Sequence, residues 1–144
     1  MRTDISIDPG TTHTGVCIWN DGRPVVTITL SPPKQCIEYL DKLLWLKQKL
    51  EKVFEENGPI TRIAVEKFQP FTQRPNMLAM MKCSATRGMI LGIADNWCET
   101  VMEASKRTIK KGETAILAKD RGVTGSKDAM DAYQIGICAG FDRK

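Results

Sequence analysis

Four carboxylates occupy positions from which they could act on one substrate. Asp8 and Glu66 each end an apolar run that predicts a buried strand, and open α/β sheets usually bind ligands at the carboxyl ends of their strands. Asp128 and Asp131 are three residues apart in a predicted helix, so both project from one helical face. A helix packed beside that edge of the sheet would bring all four acids to one crevice.

The donor set favours a hard divalent cation. Carboxylate oxygens without soft donors suit Mg²⁺ or Mn²⁺, and a single histidine, His13, excludes histidine-rich metal sites. In-line attack on a phosphodiester benefits from two cations about 3.5 to 4 Å apart, one activating water and one stabilising the leaving oxygen. Any one of these acids alone would more often be a helix cap, a solvated position or a salt-bridge partner. Together they predict a catalytic site with two Mg²⁺ ions, which Mn²⁺ could replace.

Strand and turn patterns predict the elements that would position the acids. Apolar or alternating runs over residues 3–8, 15–20 and 25–30 are separated by turn-forming residues and predict a three-strand meander. Apolar residues at helical spacing follow until Asn57-Gly58-Pro59, and residues 61–66 then predict a buried strand. A helix between two strands implies a crossover connection and a parallel pair.

The second half of the chain is predicted to be mainly helical. A long helical pattern covers residues 77–97, and a short strand is predicted over residues 100–103. A short helix is predicted over residues 113–119, and a last helix from Ser126, its N-cap, to about Gly140. At 144 residues and 42% hydrophobic side chains, the chain is expected to form a single domain over residues 1–144.

The residues around the acids resemble the RuvC family of Holliday-junction resolvases in the RNase H-like superfamily. The matching segments are Ile7-Asp8-Pro9-Gly10 with Thr14-Gly15, then Ile63-Ala64-Val65-Glu66, then Ala85-Thr86-Arg87-Gly88 with one residue inserted, and Asp128-Ala129-Met130-Asp131-Ala132. The resemblance spans nearly the whole chain. It implies an α/β RNase H-like fold with a central mixed five-stranded sheet flanked by helices. It also implies a homodimer that nicks four-way junctions symmetrically, with Asp8, Glu66, Asp128 and Asp131 as catalytic metal ligands.

Candidate DNA contacts come from charge and from the resemblance. The densest basic cluster is expected to hold backbone phosphates, although each of its residues could equally be a solvated loop position; it comprises Lys106, Arg107, Lys110 and Lys111. Family members place an aromatic residue shortly after the catalytic glutamate to probe the junction core, which makes Phe68 and Phe71 candidates. Three further candidates are Arg74, Arg87 and Lys119.

Net charge, the cysteine pattern and the N-terminal sequence limit the classes of protein to which this chain could belong. The formal charge of +4 permits a polyanionic partner without requiring one. Five cysteines without a Cys-x-x-Cys pair fit a reducing compartment. The N-terminus has no leader pattern and no apolar run reaches membrane-spanning length. We expect a cytoplasmic protein, and the short chain favours a compact phage-type member that also cuts other branched DNA.

Other functions share parts of this pattern. Asp8-Pro9-Gly10-Thr11-Thr12 also resembles the first phosphate loop of actin-like ATPases and sugar kinases, but 144 residues cannot supply the two lobes that enclose ATP. A non-catalytic branched-DNA binding protein would tolerate neutral residues where all four acids are present. An RNase H-like nuclease acting on RNA or an RNA–DNA hybrid stays open, because the acids alone do not choose the nucleic acid.

Overall fold

A mixed five-stranded sheet lies at the centre of the computed structural model, which describes residues 1–67, 76–106 and 111–143 except the side chain of Lys111. The strands are β1 (Thr3–Asp8), β2 (Thr14–Asn20), β3 (Arg23–Leu30), β4 (Ile60–Glu66) and β5 (Cys98–Ala104). Their order is β3-β2-β1-β4-β5. β1, β2 and β3 are antiparallel neighbours, whereas β4 is parallel to both β1 and β5. The predicted meander and the parallel pair are confirmed.

Four helices flank the sheet in the described part of the chain: α1 (Tyr39–Asn57), α2 (Met77–Ala94), α3 (Lys111–Asp120) and α4 (Lys127–Cys138). The N-cap prediction for α4 is confirmed, because the Ser126 side chain accepts a hydrogen bond from the Ala129 amide. α4 ends before Gly140, whose φ of +82° lies in the left-handed region where a helix cannot continue. Among these helices, none combines the length and apolar character that crossing a bilayer requires.

One face of the sheet is covered by α1 and α2. Successive side chains of a strand point to opposite faces, and Ile5 and Ile7 of β1 point to this one. They pack with buried residues of both helices, namely Leu46, Leu50, Val53, Phe54, Ile90, Ile93 and Ala94. The buried residues of this cluster are apolar, so their packing contributes hydrophobic stabilisation.

α4 packs across the other face, over β1, β2 and β3. The Trp19 ring of β2 stacks on Tyr133 of α4 with 5.4 Å between ring centroids, and Phe141 meets it edge-on. The helix approaches closely because residue 136 is glycine; a Cβ there would lie 2.3 Å from the Trp19 ring. This contact fixes α4 in rotation and height above the strands that carry the predicted site.

Candidate active site

Asp8 and Glu66 lie at the carboxyl ends of the neighbouring strands β1 and β4, at the same edge of the sheet and on the same face. Asp8 continues the strand alternation that buries Ile7 on the α1–α2 side, so its carboxylate is on the α4 side. Ala64 belongs to the core under α4, so Glu66, two residues further along β4, shares that face. β1 and β4 run parallel with Ile7 opposite Val65. The prediction that these two strand ends meet is therefore confirmed.

Two contacts place the first turns of α4 over the same edge. A Cβ on Gly15 of β2 would lie 1.8 Å from the Asp128 carbonyl oxygen, so only glycine lets the helix backbone approach this closely. One turn later, the Ser6 hydroxyl donates a 2.7 Å hydrogen bond to the Ala132 carbonyl oxygen. Asp131 lies between these two contacts in α4, so the helix places it beside the carboxyl ends of β1 and β4.

Three of the four acids converge on one positive charge. The Lys106 ammonium nitrogen lies 3.8 Å from an Asp8 oxygen, 3.6 Å from a Glu66 oxygen and 3.5 Å from an Asp131 oxygen. Asp128 is not among the carboxylates that this ammonium contacts, although its backbone packs against Gly15. Three acids from three separate elements thus share one point in space, and a predicted phosphate-binding lysine occupies it.

The crowding of acids shifts the pKa of both Asp8 and Lys106. Burial, a hydrogen bond with Glu66 that requires the proton, and the charges of Glu66 and Asp131 raise the pKa of Asp8 to about 8, against the opposing charge of Lys106. Burial lowers the pKa of Lys106, but the three carboxylates outweigh it and the net shift is upward. Among the described residues, the carboxyl groups of the site therefore outnumber the lysine that contacts them.

The donor chemistry of this cluster fits a hard divalent cation. Its carboxylate oxygens are only partly exposed and already surround a cation, the Lys106 ammonium. As the side chains stand, no three acidic, histidine or cysteine side chains of the described residues are close enough to ligate one ion. Metal ligation by Asp8, Glu66, Asp128 and Asp131, and the number of ions, stay predictions.

Arg87 is engaged at the same strand end. Its Nε donates a 2.8 Å hydrogen bond to the Glu66 carbonyl oxygen, and its guanidinium pairs with Glu103. These contacts brace the end of β4, so DNA contact by Arg87 stays a prediction. Lys119 is exposed on α3, and its role stays a prediction as well. Six further predictions lie outside the described residues: Phe68, Phe71, Arg74, Arg107, Lys110 and the side chain of Lys111.

Sequence reasoning missed the polar contacts that hold α4 in place. Trp19 is buried in the core, and its Nε1 donates a 2.9 Å hydrogen bond to the Ser6 hydroxyl. That hydroxyl in turn holds Ala132 of α4. The one available signal was the alternation of polar Asp4, Ser6 and Asp8 along a buried strand, which indicates a face with polar partners.

Comparison with solved structures identifies the architecture. The structure of T. thermophilus RuvC in complex with a Holliday junction substrate superposes with a TM-score of 0.77 at 15% identity, covering 98% of this chain and 94% of that one. The chain has the RuvC fold. A second Thermus thermophilus RuvC structure gives a TM-score of 0.76 at 19% identity, covering 96% of this chain and 93% of that one. No protein-family model matches the sequence, and comparison with curated proteins finds no similar sequence.

Proposed function

We propose that this protein is a metal-dependent, structure-selective DNA endonuclease that resolves Holliday junctions by paired symmetric nicks. The observation that carries the proposal is the convergence of Asp8, Glu66 and Asp131 around Lys106 at one edge of a RuvC-fold sheet. The similarity to a RuvC structure bound to a Holliday junction substrate supports branched DNA as the partner. Cleavage of other branched DNA structures belongs to the same proposal.

Each side chain of the site has a proposed role. Asp8, Glu66, Asp128 and Asp131 would hold two Mg²⁺ or Mn²⁺ ions, which when bound make the attacking water more acidic and stabilise the charge on the phosphate and leaving oxygen. Lys106 places a positive charge beside the acids, where it stabilises the negative charge that builds on a non-bridging phosphate oxygen. The side chains of Glu66 and Asp131 are 23% and 20% exposed and that of Asp8 is 11% exposed, so the site opens to solvent, as access to a DNA backbone requires.

DNA would be held by the basic segment that begins at Lys106. With Arg107, Lys110 and Lys111 it supplies about four phosphate contacts, which corresponds to a slope of about −3 to −4 for log binding constant against log salt concentration. Replacing both Lys110 and Lys111 by alanine is expected to weaken binding and flatten that slope by about 2. Phe68 or Phe71 would probe the junction core, and Arg74, Arg87 and Lys119 would add backbone contacts.

A homodimer would place two such sites on the two strands that are cut. One face of α2 supports it, because Met81, Ala85, Gly88 and Gly92 are exposed at helical spacing and nothing lies within 4 Å of a Cβ added at either glycine. Leu40 and Leu44 of the neighbouring α1 are exposed as well. Such an apolar patch marks an interaction surface in a water-soluble domain.

Sedimentation equilibrium tests the dimer. We expect the wild-type protein to sediment at twice the chain mass of 16.1 kDa, and Met81→Glu to sediment as a monomer because it buries a charge in the interface. The control is Ile116→Glu, which introduces the same charge at an exposed apolar residue of α3, away from this surface. A wild-type protein that stays monomeric with and without junction DNA would remove the dimer from the proposal.

Cleavage of matched substrates tests the activity. The substrates are an immobile four-way junction, a mobile-core junction, a linear DNA duplex and an RNA–DNA hybrid, each incubated with Mg²⁺, Mn²⁺ or chelator. The proposal predicts paired, metal-dependent nicks in a junction and no cleavage of the duplex. Cleavage of the hybrid instead would assign the site to RNA, and tight junction binding without any cleavage would indicate a binding protein.

A further inference from the structure

Gln134 connects the helix that carries the aspartates to the backbone that carries the lysine. It lies three residues beyond Asp131 in α4 and is 6% exposed. Its Nε2 donates a 2.9 Å hydrogen bond to the Lys106 carbonyl oxygen. Asp131, one turn earlier on the same helix, contacts the ammonium group of that same lysine. α4 therefore holds Lys106 at its backbone and at the tip of its side chain.

The hydrogen bond acts at a point where the sheet no longer holds the chain. β5 ends at Ala104, whose carbonyl oxygen accepts from the Lys67 amide in the last sheet-like contact. Lys106 lies two residues further on. The four-carbon stem of a lysine is flexible and does not by itself fix the position of the ammonium group. Fixing the Lys106 backbone from α4 limits where the ammonium can reach.

We propose that Gln134 is a positioning residue that acts through Lys106. It keeps the lysine backbone at a fixed place relative to Asp131, so that the ammonium group stays at the meeting point of the carboxylates. Gln134 does not touch the reacting atoms itself. The inference rests on the proposed function for the claim that Lys106 assists phosphodiester hydrolysis; the backbone tether is a separate claim that does not need DNA.

The activity test replaces Gln134 by methionine, which has a similar length and no hydrogen-bond donor. In Gln134→Met we expect the single-turnover cleavage rate of a four-way junction to fall about tenfold while the dissociation constant for the junction stays within twofold. Gln48→Met, on the exposed side of α1, is the matched control and should leave both unchanged. A cleavage rate equal to that of the wild type would overturn the proposal.

A double-mutant cycle separates positioning from general support of the fold. If Gln134 acts through Lys106, adding Gln134→Met to Lys106→Ala should cause no further loss of rate. A merely structural role would instead multiply the two losses, and that outcome would contradict the inference. All rates are compared at a temperature where circular dichroism shows each variant folded, and Gln134→Glu, of equal size, replaces the methionine variant if that protein does not fold.

Hydrogen–deuterium exchange tests the tether without substrate or metal. In Gln134→Met, the peptide containing Lys106 should exchange about tenfold faster than in the wild type, with the strand peptides of β1 unchanged. Equal exchange in the two proteins would refute the tether. If the wild-type protein cleaves no nucleic acid but the exchange differs as expected, the proposed function fails and the tether stands.

Discussion

Asp4 and Asp8 are the same residue type on the same face of the same strand, about 13 Å apart at the rise of a β-strand, yet their surroundings are opposite. Asp4 is fully buried, and its carboxylate accepts two hydrogen bonds from Arg62, at 3.0 and 2.7 Å. The Arg2 Nε lies 3.2 Å from an oxygen of the same carboxylate. Asp8 faces two other acids and shares one lysine with them. One end of β1 pairs its carboxylate with arginines, whereas the other end gathers three carboxyl groups around one lysine.

The two surroundings distinguish a carboxylate that stabilises the fold from one that is available to a ligand. A bidentate arginine pair satisfies Asp4 completely and leaves it nothing further to bind. At the other end, burial and neighbouring acids raise the pKa of Asp8 to about 8, an arrangement that costs stability unless a cation binds there. We therefore infer that Asp4 serves the fold, and we propose that Asp8 serves a ligand.

The largest expected effect is on catalysis at the crowded end. Glu66→Gln should lower the junction cleavage rate by about a thousandfold, because a bound metal ion supplies several kcal/mol of transition-state stabilisation. Glu99→Gln, on an exposed position of β5, is the matched control and should cleave like the wild type. Single-turnover kinetics would measure both, and a Glu66→Gln enzyme of normal rate would remove Glu66 from the mechanism.

At the neutralised end the expected effect is on stability. Asp4→Asn removes the partner of two arginines and should lower the free energy of unfolding by about 3 kcal/mol, measured by urea titration. The cleavage rate per folded molecule should stay within twofold of the wild type. A large loss of rate in a fully folded Asp4→Asn protein would show that the two ends of β1 are not separate in function.

Lys106→Ala should lower the cleavage rate by about a hundredfold, the usual cost of removing one electrostatic stabiliser of a transition state. Lys47→Ala, which removes an exposed lysine that pairs with Glu51 on α1, is the control. Single-turnover rates at saturating enzyme separate this effect from weaker DNA binding. A loss that disappears at saturation would assign Lys106 to binding alone.

The smallest effect, counted per pH unit, is a pH dependence of stability that requires Asp8 and that Asp4→Asn should leave unchanged. Between the unfolded pKa of 3.8 and the folded value of about 8, the folded protein holds a proton that the unfolded chain releases. The free energy of unfolding in chelator should therefore fall with rising pH, by at most about 1.4 kcal/mol per unit from this group. Thermal melts from pH 4 to pH 8 should show a shallower decline in Asp8→Asn, and equal declines would contradict the assignment.

Local sequence patterns predicted where the strands end, but not which distant side chains contact the residues of the strands and of the site. Asp8 and Glu66 could be placed because alternation and apolar runs fix the face and the end of each strand. The pairing of Asp4 with Arg62 spans 58 residues, and the hydrogen bond from Gln134 to Lys106 spans 28. Neither has a local signature, because the first depends on the pairing of β4 with β1 and the second on how α4 packs over the end of β5.

Lys106 shows the same limit at the site itself. A basic cluster indicated phosphate binding, but its first member lies among the acids because β5 runs parallel to β4 and ends at Ala104, opposite Glu66. The sequence predicted a strand over residues 100–103, which is too short to locate that end. The role of the lysine therefore depends on the sheet register, which periodicity alone does not fix.

The most direct test of the account is single-turnover cleavage of a four-way junction by the wild-type protein and by Asp8→Asn, with Mg²⁺, Mn²⁺ or chelator, beside a measurement of junction binding. The account predicts paired metal-dependent nicks by the wild type and a loss of at least about a thousandfold in Asp8→Asn, with junction binding retained. Cleavage by Asp8→Asn at the wild-type rate would contradict it, because the crowded end of β1 would then have no part in the chemistry.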